Sequence, residues 1–178
     1  MDNPWKLKSK KTVYNNPWIE VSEHQVITPN GSDGIYGVVH FKNFAIGILP
    51  VDDQKNIWLI GQYRYPLKMH TWEIPEGGGP IHVDPLESAK RELLEEAGLI
   101  AAHWELIQTM HISNSCTDEF AYIYLCRGLT ETTPNPDEDE ILQIRKIPFD
   151  DAYAMLESGE ITDSLTVVAL LKAKIIFG

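Results

Sequence analysis

The sequence has few cysteines, few basic residues and no long apolar run. Its 178 residues include two cysteines, Cys116 and Cys126, which are too few for a disulfide framework and are typical of a reducing compartment. No stretch is long and apolar enough to cross a membrane, and no apolar run of a signal peptide follows the first lysines. We therefore expect a cytoplasmic protein that has no membrane partner.

Basic residues are outnumbered, with 15 Lys and Arg against 26 Asp and Glu, so that the formal net charge is −11. A protein that binds nucleic acid needs a basic stripe for the phosphates, so this balance argues against a nucleic-acid partner. Apolar residues make up 43% of the chain and charged residues 23%, which is ordinary for a globular protein. The length predicts one domain over residues 1–178.

A short helix is clearly signalled in the middle of the chain. Asp84 is suited to be the N-cap, Pro85 the first helical residue, and Glu87 the third residue of a capping box. Gly98 is suited to end the helix in the left-handed conformation. These signals predict a helix from Pro85 to Ala97.

Three carboxylates, those of Glu92, Glu95 and Glu96, fall within an arc of roughly 100° on this helix. The apolar residues fall on a different arc that can face a core. Like charges one turn apart cost roughly 0.2–0.5 kcal/mol per pair, so such a cluster either lies in water or holds a cation. Hard divalent cations such as Mg²⁺ take oxygen ligands, often carboxylates together with substrate phosphates.

The spacing of these residues resembles the Nudix box, G-x5-E-x7-R-E-U-x-E-E-x-G-U, where U is apolar. One position departs from it, because Val83 stands where the motif has its first glutamate. All other positions of the box match, and they are Gly77, Arg91, Glu92, Leu93, Glu95, Glu96, Gly98 and Leu99. A gapped pattern matched at this many positions, in a loop followed by a helix, is a specific signal.

The resemblance implies an enzyme that cleaves a phosphoanhydride of a nucleoside diphosphate linked to another group, with Mg²⁺ or Mn²⁺. It implies that Glu92 and Glu96 bind the metal, together with the backbone carbonyl of Glu76. Glu95 would be a further ligand or would orient one, and Arg91 would hold the glutamates by charge-assisted hydrogen bonds.

The loss of the first glutamate leaves two questions open. In the family that glutamate supports the arginine and the metal ligands, which Val83 cannot do. Asp84 or Glu87 is a candidate to replace it. The loss also motivates an alternative function, a Nudix-fold module that binds a nucleotide as a sensor and cleaves it weakly or not at all.

The flanks of the box narrow the resemblance to the ADP-ribose and nucleoside-diphosphate-sugar pyrophosphatases. The segments 61–66 and 72–77 resemble the QxR…WELPAG stretch of this subgroup, and the resemblance continues at 113–119, 137–140 and 159–163. It implies that Arg64 contacts the diphosphate, which suits the planar fork of a guanidinium. Glu73 would lie near the metal or the terminal ribose. ADP-ribose and GDP-mannose are not ranked by the sequence.

The catalytic base of this subgroup comes from a late loop, where Glu140 matches best and Glu138 is second. A loop carboxylate can take a proton from a metal-bound water. Trp18 is a candidate to stack on the base of the substrate. A third interpretation, removal of damaged nucleoside triphosphates, is weaker because such enzymes usually lack a long β-rich N-terminus.

The pattern of strands and helices predicts an α/β protein, a three-layer α/β/α sandwich with a mixed sheet and an N-terminal antiparallel β extension. This is the Nudix fold that the resemblance implies. In related enzymes this extension, here residues 1–42, contributes to a homodimer. The predicted strands lie near 8–14, 18–27, 35–42, 44–51, 57–63, 104–111, 119–127 and 140–147, and two further helices near 150–157 and 161–176.

Overall fold

The computed structural model describes residues 2–135 and 141–178, which form ten strands and three helices within those ranges. In chain order they are β1 (Lys6–Asn15), β2 (Ile19–Ile27), β3 (Asp33–Phe41), β4 (Asn43–Pro50), β5 (Asn56–Arg64), β6 (Met69–Glu73), β7 (Glu76–Pro80), α1 (Pro85–Ala97), β8 (Leu99–His111), β9 (Phe120–Glu131), β10 (Gln143–Pro148), α2 (Phe149–Glu157) and α3 (Ser164–Phe177).

The N-terminal extension is a separate antiparallel sheet in the order β1-β2-β3, as the sequence predicted. Every residue of β1 is exposed. The sheet is tied to the loop after β8, because the backbone N–H of Val39 donates to the carbonyl of Cys116, and that of Asp118 donates to Val39. The extension therefore touches the rest of the chain mainly along the edge of β3.

The remaining strands form two sheets. One has the order β7-β4-β9-β8 and is mixed, since β4 and β9 are parallel while the other pairs are antiparallel. The other is antiparallel in the order β10-β5-β6. A parallel pair such as β4 and β9 requires a long crossover connection, and here α1 lies within it.

Helices cover both faces of these sheets. On β4, Ile46 and Ile48 pack towards α1 and its Leu93, whereas Leu49 packs towards α2 and α3. Alternate side chains of a strand point to opposite faces, so a strand covered on both sides is apolar along its length. The predicted three-layer α/β/α sandwich with a mixed sheet is confirmed.

Two strands, β6 and β7, were not predicted from the sequence, and the first predicted strand after α1 begins earlier than expected, at Leu99. The last helix begins later than expected, at Ser164, because the side chain of Asp163 caps it by accepting a hydrogen bond from the backbone N–H of Thr166 at 2.8 Å. Among the described residues, none of the helices has the length and apolar character needed to span a membrane.

Candidate active site

The helix that carries the box residues has the bounds predicted from its capping signals. The side chain of Asp84 accepts a hydrogen bond from the backbone N–H of Leu86 at 2.9 Å, and Gly98 ends the helix at φ 62°. Glu87 does not complete a capping box; its carboxylate accepts a hydrogen bond from Lys90 at 2.7 Å. The start of α1 is thus fixed by Asp84 and Pro85.

Two of the box carboxylates, Glu92 and Glu96, are buried and lie against the start of β7. Glu96 accepts a hydrogen bond from the backbone N–H of Glu76 at 2.8 Å. A Cβ atom placed on Gly77 would meet the carboxylate of Glu92, with Oε2 only 2.5 Å away. The absence of a side chain at Gly77 is therefore what lets Glu92 approach the backbone so closely.

Arg91 bridges the same carboxylates. Its Nη1 donates to Glu95 at 2.6 Å, and its Nη2 donates to Glu92 at 2.6 Å and to the carbonyl of Gly78 at 3.0 Å. Burial disfavours the charge of Arg91, but Glu92 and Glu95 outweigh it and raise the pKa of the guanidinium.

Neither candidate replacement for the missing first glutamate reaches Arg91. Asp84 is occupied as the N-cap and Glu87 binds Lys90. The carbonyl of Gly78 on β7 supplies an acceptor for Arg91 instead. Where the motif has a glutamate to support Arg91, this chain has Val83, and a backbone carbonyl of β7 accepts a hydrogen bond from the arginine. That strand was not predicted from the sequence.

Arg64, at the end of β5, forms ion pairs with Glu73 and Glu76. Its Nε donates to both oxygens of Glu73, at 2.9 and 3.0 Å, and its Nη2 donates to Glu73 and to Oε1 of Glu76. Glu73 is 2% exposed and also accepts from Thr71 at 2.5 Å and Gln62 at 3.3 Å. Its burial disfavours the charge, but Arg64 and Thr71 outweigh it and lower the pKa of Glu73.

The side chain of Glu76 is itself mostly buried beside these groups, at 11% exposed, although the sequence suggested only its backbone carbonyl as functional. Its Oε2 has no hydrogen-bond partner among the described residues. Burial, and then the charges of Asp163 and Glu73, raise the pKa of Glu76 well above its ordinary value. Carboxylate oxygens of Glu73, Glu76 and Asp163 lie within 4.8 Å of one another.

Asp163 was not singled out from the sequence. It lies in the segment 159–163, which carried part of the resemblance, but the predicted helix near 161–176 enclosed it and so concealed its position as the N-cap of α3. Its capping bond and a bond from the hydroxyl of Thr166 at 2.8 Å hold it, and the same hydroxyl accepts from the backbone N–H of Ile74 at 2.9 Å. Through Thr166, the start of α3 is attached to the chain between β6 and β7.

These groups lie at one end of a cavity of about 850 Å³, a volume suited to a small-molecule ligand. Trp18, which is 65% exposed, lines it from the connection between β1 and β2. Glu119 also lines it, and burial, with the nearby charge of Asp118, raises the pKa of Glu119. The other lining residues include Phe41, Asn43, Phe44, Arg64, Pro66, Leu67, Thr71, Glu73, Glu76, Gly77, Gly78, Ile112 and Asp163.

The residue types fit a divalent cation. The carboxylates of Glu92 and Glu96 lie against the Glu76–Gly77 backbone, so that with the carbonyl of Glu76 the ligand atoms would all be hard oxygens. Arg91 balances part of the negative charge. The two residues predicted as catalytic base, Glu138 and Glu140, lie outside the described residues.

The chain belongs to the NUDIX domain family, whose model matches residues 42–166. The model of a nucleoside diphosphate sugar hydrolase N-terminal domain matches residues 5–39, which contain most of the N-terminal sheet. The Nudix box and the β-rich extension predicted from the sequence thus each have a counterpart in a known family.

Relatives along nearly the whole chain agree with this assignment. The chain is 29% identical over 167 residues to an ADP-ribose pyrophosphatase of Bacillus subtilis, covering 93% of this chain and 90% of the relative. It is 30% identical over 171 residues to an ADP-ribose pyrophosphatase of Mycobacterium tuberculosis, covering 92% and 80%. The predicted kinship with this subgroup of Nudix hydrolases is confirmed.

A solved structure shows the same fold. The crystal structure of an ADP compounds hydrolase superposes with a TM-score of 0.87 at 21% identity, covering 97% of this chain and 94% of the other. At that identity the likeness concerns the fold, and it supports the predicted Nudix fold.

Proposed function

We propose that this protein hydrolyses the pyrophosphate linkage of ADP-ribose or of a nucleoside diphosphate sugar, giving a nucleoside monophosphate and a sugar phosphate. The observation that carries the proposal is the position of Glu92 and Glu96 against the Glu76–Gly77 backbone. Glu76 and Gly77, together with Arg64, line a cavity of about 850 Å³. The ADP-ribose pyrophosphatases among its relatives support it, as do GDP-mannose pyrophosphatases such as that of Yersinia enterocolitica, 26% identical over 129 residues.

In this proposal Glu92, Glu96 and the backbone carbonyl of Glu76 hold Mg²⁺, or Mn²⁺ in its place. When bound, such a cation neutralises phosphate charge and lowers the pKa of a coordinated water. Arg91 keeps Glu92 and Glu95 in place through its hydrogen bonds. Glu95, which is 32% exposed and bonds Nη1 of Arg91, serves as a further ligand or orients one.

Substrate contacts come from other residues that line or adjoin the cavity. Arg64 contacts the diphosphate, Glu73 fixes the position of Arg64, and Trp18 stacks on the base. Glu140, or else Glu138, takes the proton of the attacking water. Charged groups held in advance at the place where charge develops are the largest catalytic term in many enzymes.

The first experiment incubates the protein with ADP-ribose and with GDP-mannose at millimolar Mg²⁺ and measures released monophosphate. Substitution Glu96→Gln should lower kcat by about two orders of magnitude, or roughly 2.7 kcal/mol, and leave the circular dichroism spectrum unchanged. The exposed Glu157→Gln is the control for loss of a charge. Tight nucleotide binding without turnover would instead favour the sensor, and Glu96→Gln at wild-type turnover would remove Glu96 from the metal site.

We further propose that the whole chain acts as a cytoplasmic homodimer, formed through residues 1–42. The exposed apolar side chains of the N-terminal sheet support this, among them Leu7 at 61%, Val13 at 54% and Ile35 at 67% exposed. Association of two copies of the chain would remove such apolar side chains from water. Sedimentation equilibrium of the wild type and of Ile35→Glu tests it; a monomeric wild type would contradict the proposal.

A further inference from the structure

Glu76 stands where the WELPAG pattern of the resembled subgroup has alanine. The main-chain role suggested for this position needs no carboxylate. The side chain is nevertheless only 11% exposed and bonds Arg64. A mostly buried carboxylate at a position where the pattern has only a methyl group therefore has a role other than packing.

The hydrogen bonds of Arg64 show what this carboxylate does. A guanidinium has five N–H donors and can bind an anion along either of two edges that each present a pair of parallel N–H groups. Glu73 takes the edge made by Nε and Nη2. The second N–H of Nη2 goes to Oε1 of Glu76. Among residues 2–135 and 141–178, Nη1 has no acceptor.

The edge that remains for a phosphate is therefore made by Nη1 and the second N–H of Nη2, and Glu76 occupies half of it. With alanine at this position Glu73 would still hold Arg64, because its contacts do not involve Glu76. The occupation does not depend on the charge of Glu76, because a carboxyl oxygen accepts in either protonation state.

We propose that the Glu76 side chain occupies one of the two N–H groups with which Arg64 could bind a phosphate. Glu76 is thus a positioning residue, which acts through Arg64 and lowers the affinity of this site for a diphosphate. The inference rests on the proposed function in that Arg64 faces the diphosphate. It assigns to Glu76 a role that is separate from that of its backbone carbonyl.

The test uses inorganic pyrophosphate as probe, titrated calorimetrically into the full-length protein in EDTA, where neither nucleoside recognition nor turnover enters. Glu76→Ala should bind pyrophosphate about tenfold more tightly than wild type, because the probe can then form one more hydrogen bond to the charged guanidinium. Glu76→Gln should gain less, because its amide oxygen still accepts from Nη2. Glu157→Ala, which removes the same charge from an exposed position, should bind as wild type does.

The role of Arg64 is tested by the double variant. The gain from Glu76→Ala should vanish in an Arg64→Ala background. The proposal is overturned if Glu76→Ala binds no more tightly than wild type, or fails to bind at all. It is also overturned if Glu76→Gln gains as much, or if the gain persists without Arg64, since charge alone would then explain it. Glu76→Ser, also too short to reach Arg64, replaces the alanine variant should that one not fold.

These results are independent of the proposed reaction. A failure to hydrolyse ADP-ribose or GDP-mannose would refute the proposed function while the pyrophosphate titrations still decide the role of Glu76. Conversely, if the protein hydrolyses these substrates but Glu76→Ala binds pyrophosphate as wild type does, the proposed function stands and the inference about Glu76 is refuted.

Discussion

Replacing Gly77 by alanine should disable the proposed metal site while leaving the fold intact. An added Cβ would lie 2.5 Å from Oε2 of Glu92, whereas ordinary contact begins at 3.4 Å. The carboxylate of Glu92 would therefore have to move by about 1 Å. Displacements of this size at a reacting centre cost about 100-fold in rate.

The expected stability change is small. The backbone angle φ of Gly77 is not in the left-handed region, and the atoms it would meet are the end of a side chain that can move. The added contact is offset in part by the lower entropy of the unfolded chain, so the free energy of unfolding should change by less than about 2 kcal/mol.

The assay compares Gly77→Ala with wild type in kcat on ADP-ribose, in Mn²⁺ affinity by electron paramagnetic resonance, and in melting temperature. Gly37→Ala on β3 is the matched control, since a Cβ there meets nothing within 4 Å, and it should behave as wild type. A Gly77→Ala protein with wild-type kcat and Mn²⁺ affinity would refute the assignment of Glu92 as a ligand.

Three further changes test the surrounding structure. Burial disfavours the charge of Asp52, but hydrogen bonds from Asn56 and Lys146 outweigh it and lower its pKa from 3.8 to about 2. The ionised Asp52 therefore stabilises the folded chain above pH 3.8, and this contribution is lost as the pH falls towards 2. The difference in unfolding free energy between wild type and Asp52→Asn, about 1 kcal/mol at neutral pH, should narrow over that range in urea titrations. A difference that stays constant would contradict this prediction. Thr166→Val should cost about 1–3 kcal/mol in denaturant unfolding, because the hydroxyl joins α3 to the chain after β6; an unchanged midpoint would show that these bonds contribute nothing. Leu93→Ala, on the buried face of α1 at 0% exposure, should cost about 2–5 kcal/mol in the free energy of unfolding, and a loss below 1 kcal/mol would mean that the core collapses around the gap.

The part of the site closest to prediction is α1. Its start at Pro85, its end before Gly98 and the grouping of Glu92 and Glu96 follow from capping and from the helical period, which act over a few neighbouring residues. The burial of Ile46 and Ile48 on one face and Leu49 on the other likewise follows from the alternation of a strand.

Strand β7 was missed because its residues, Glu76 to Pro80, carry neither β-branched side chains nor an alternating pattern. It is a strand because β4 pairs with it, Ile46 opposite Gly77. Sheet pairing of this kind depends on the partner and not on local preference. The backbone part of the proposed metal site, and the carbonyl of Gly78 that accepts a hydrogen bond from Arg91, could not be predicted for the same reason.

Local signals along the chain were thus enough for the family, the helix of the box and the layers of the fold, because caps and periodicity are short-range properties. The ion pairs of Arg64 with Glu73 and Glu76 could not be predicted from these signals, and neither could the position of Asp163 beside them, because they depend on tertiary packing. These residues are brought together by the pairing of β5 with β6 and by the docking of α3. Which charges meet in a buried site is decided by how separate elements pack, and no sequence interval encodes it.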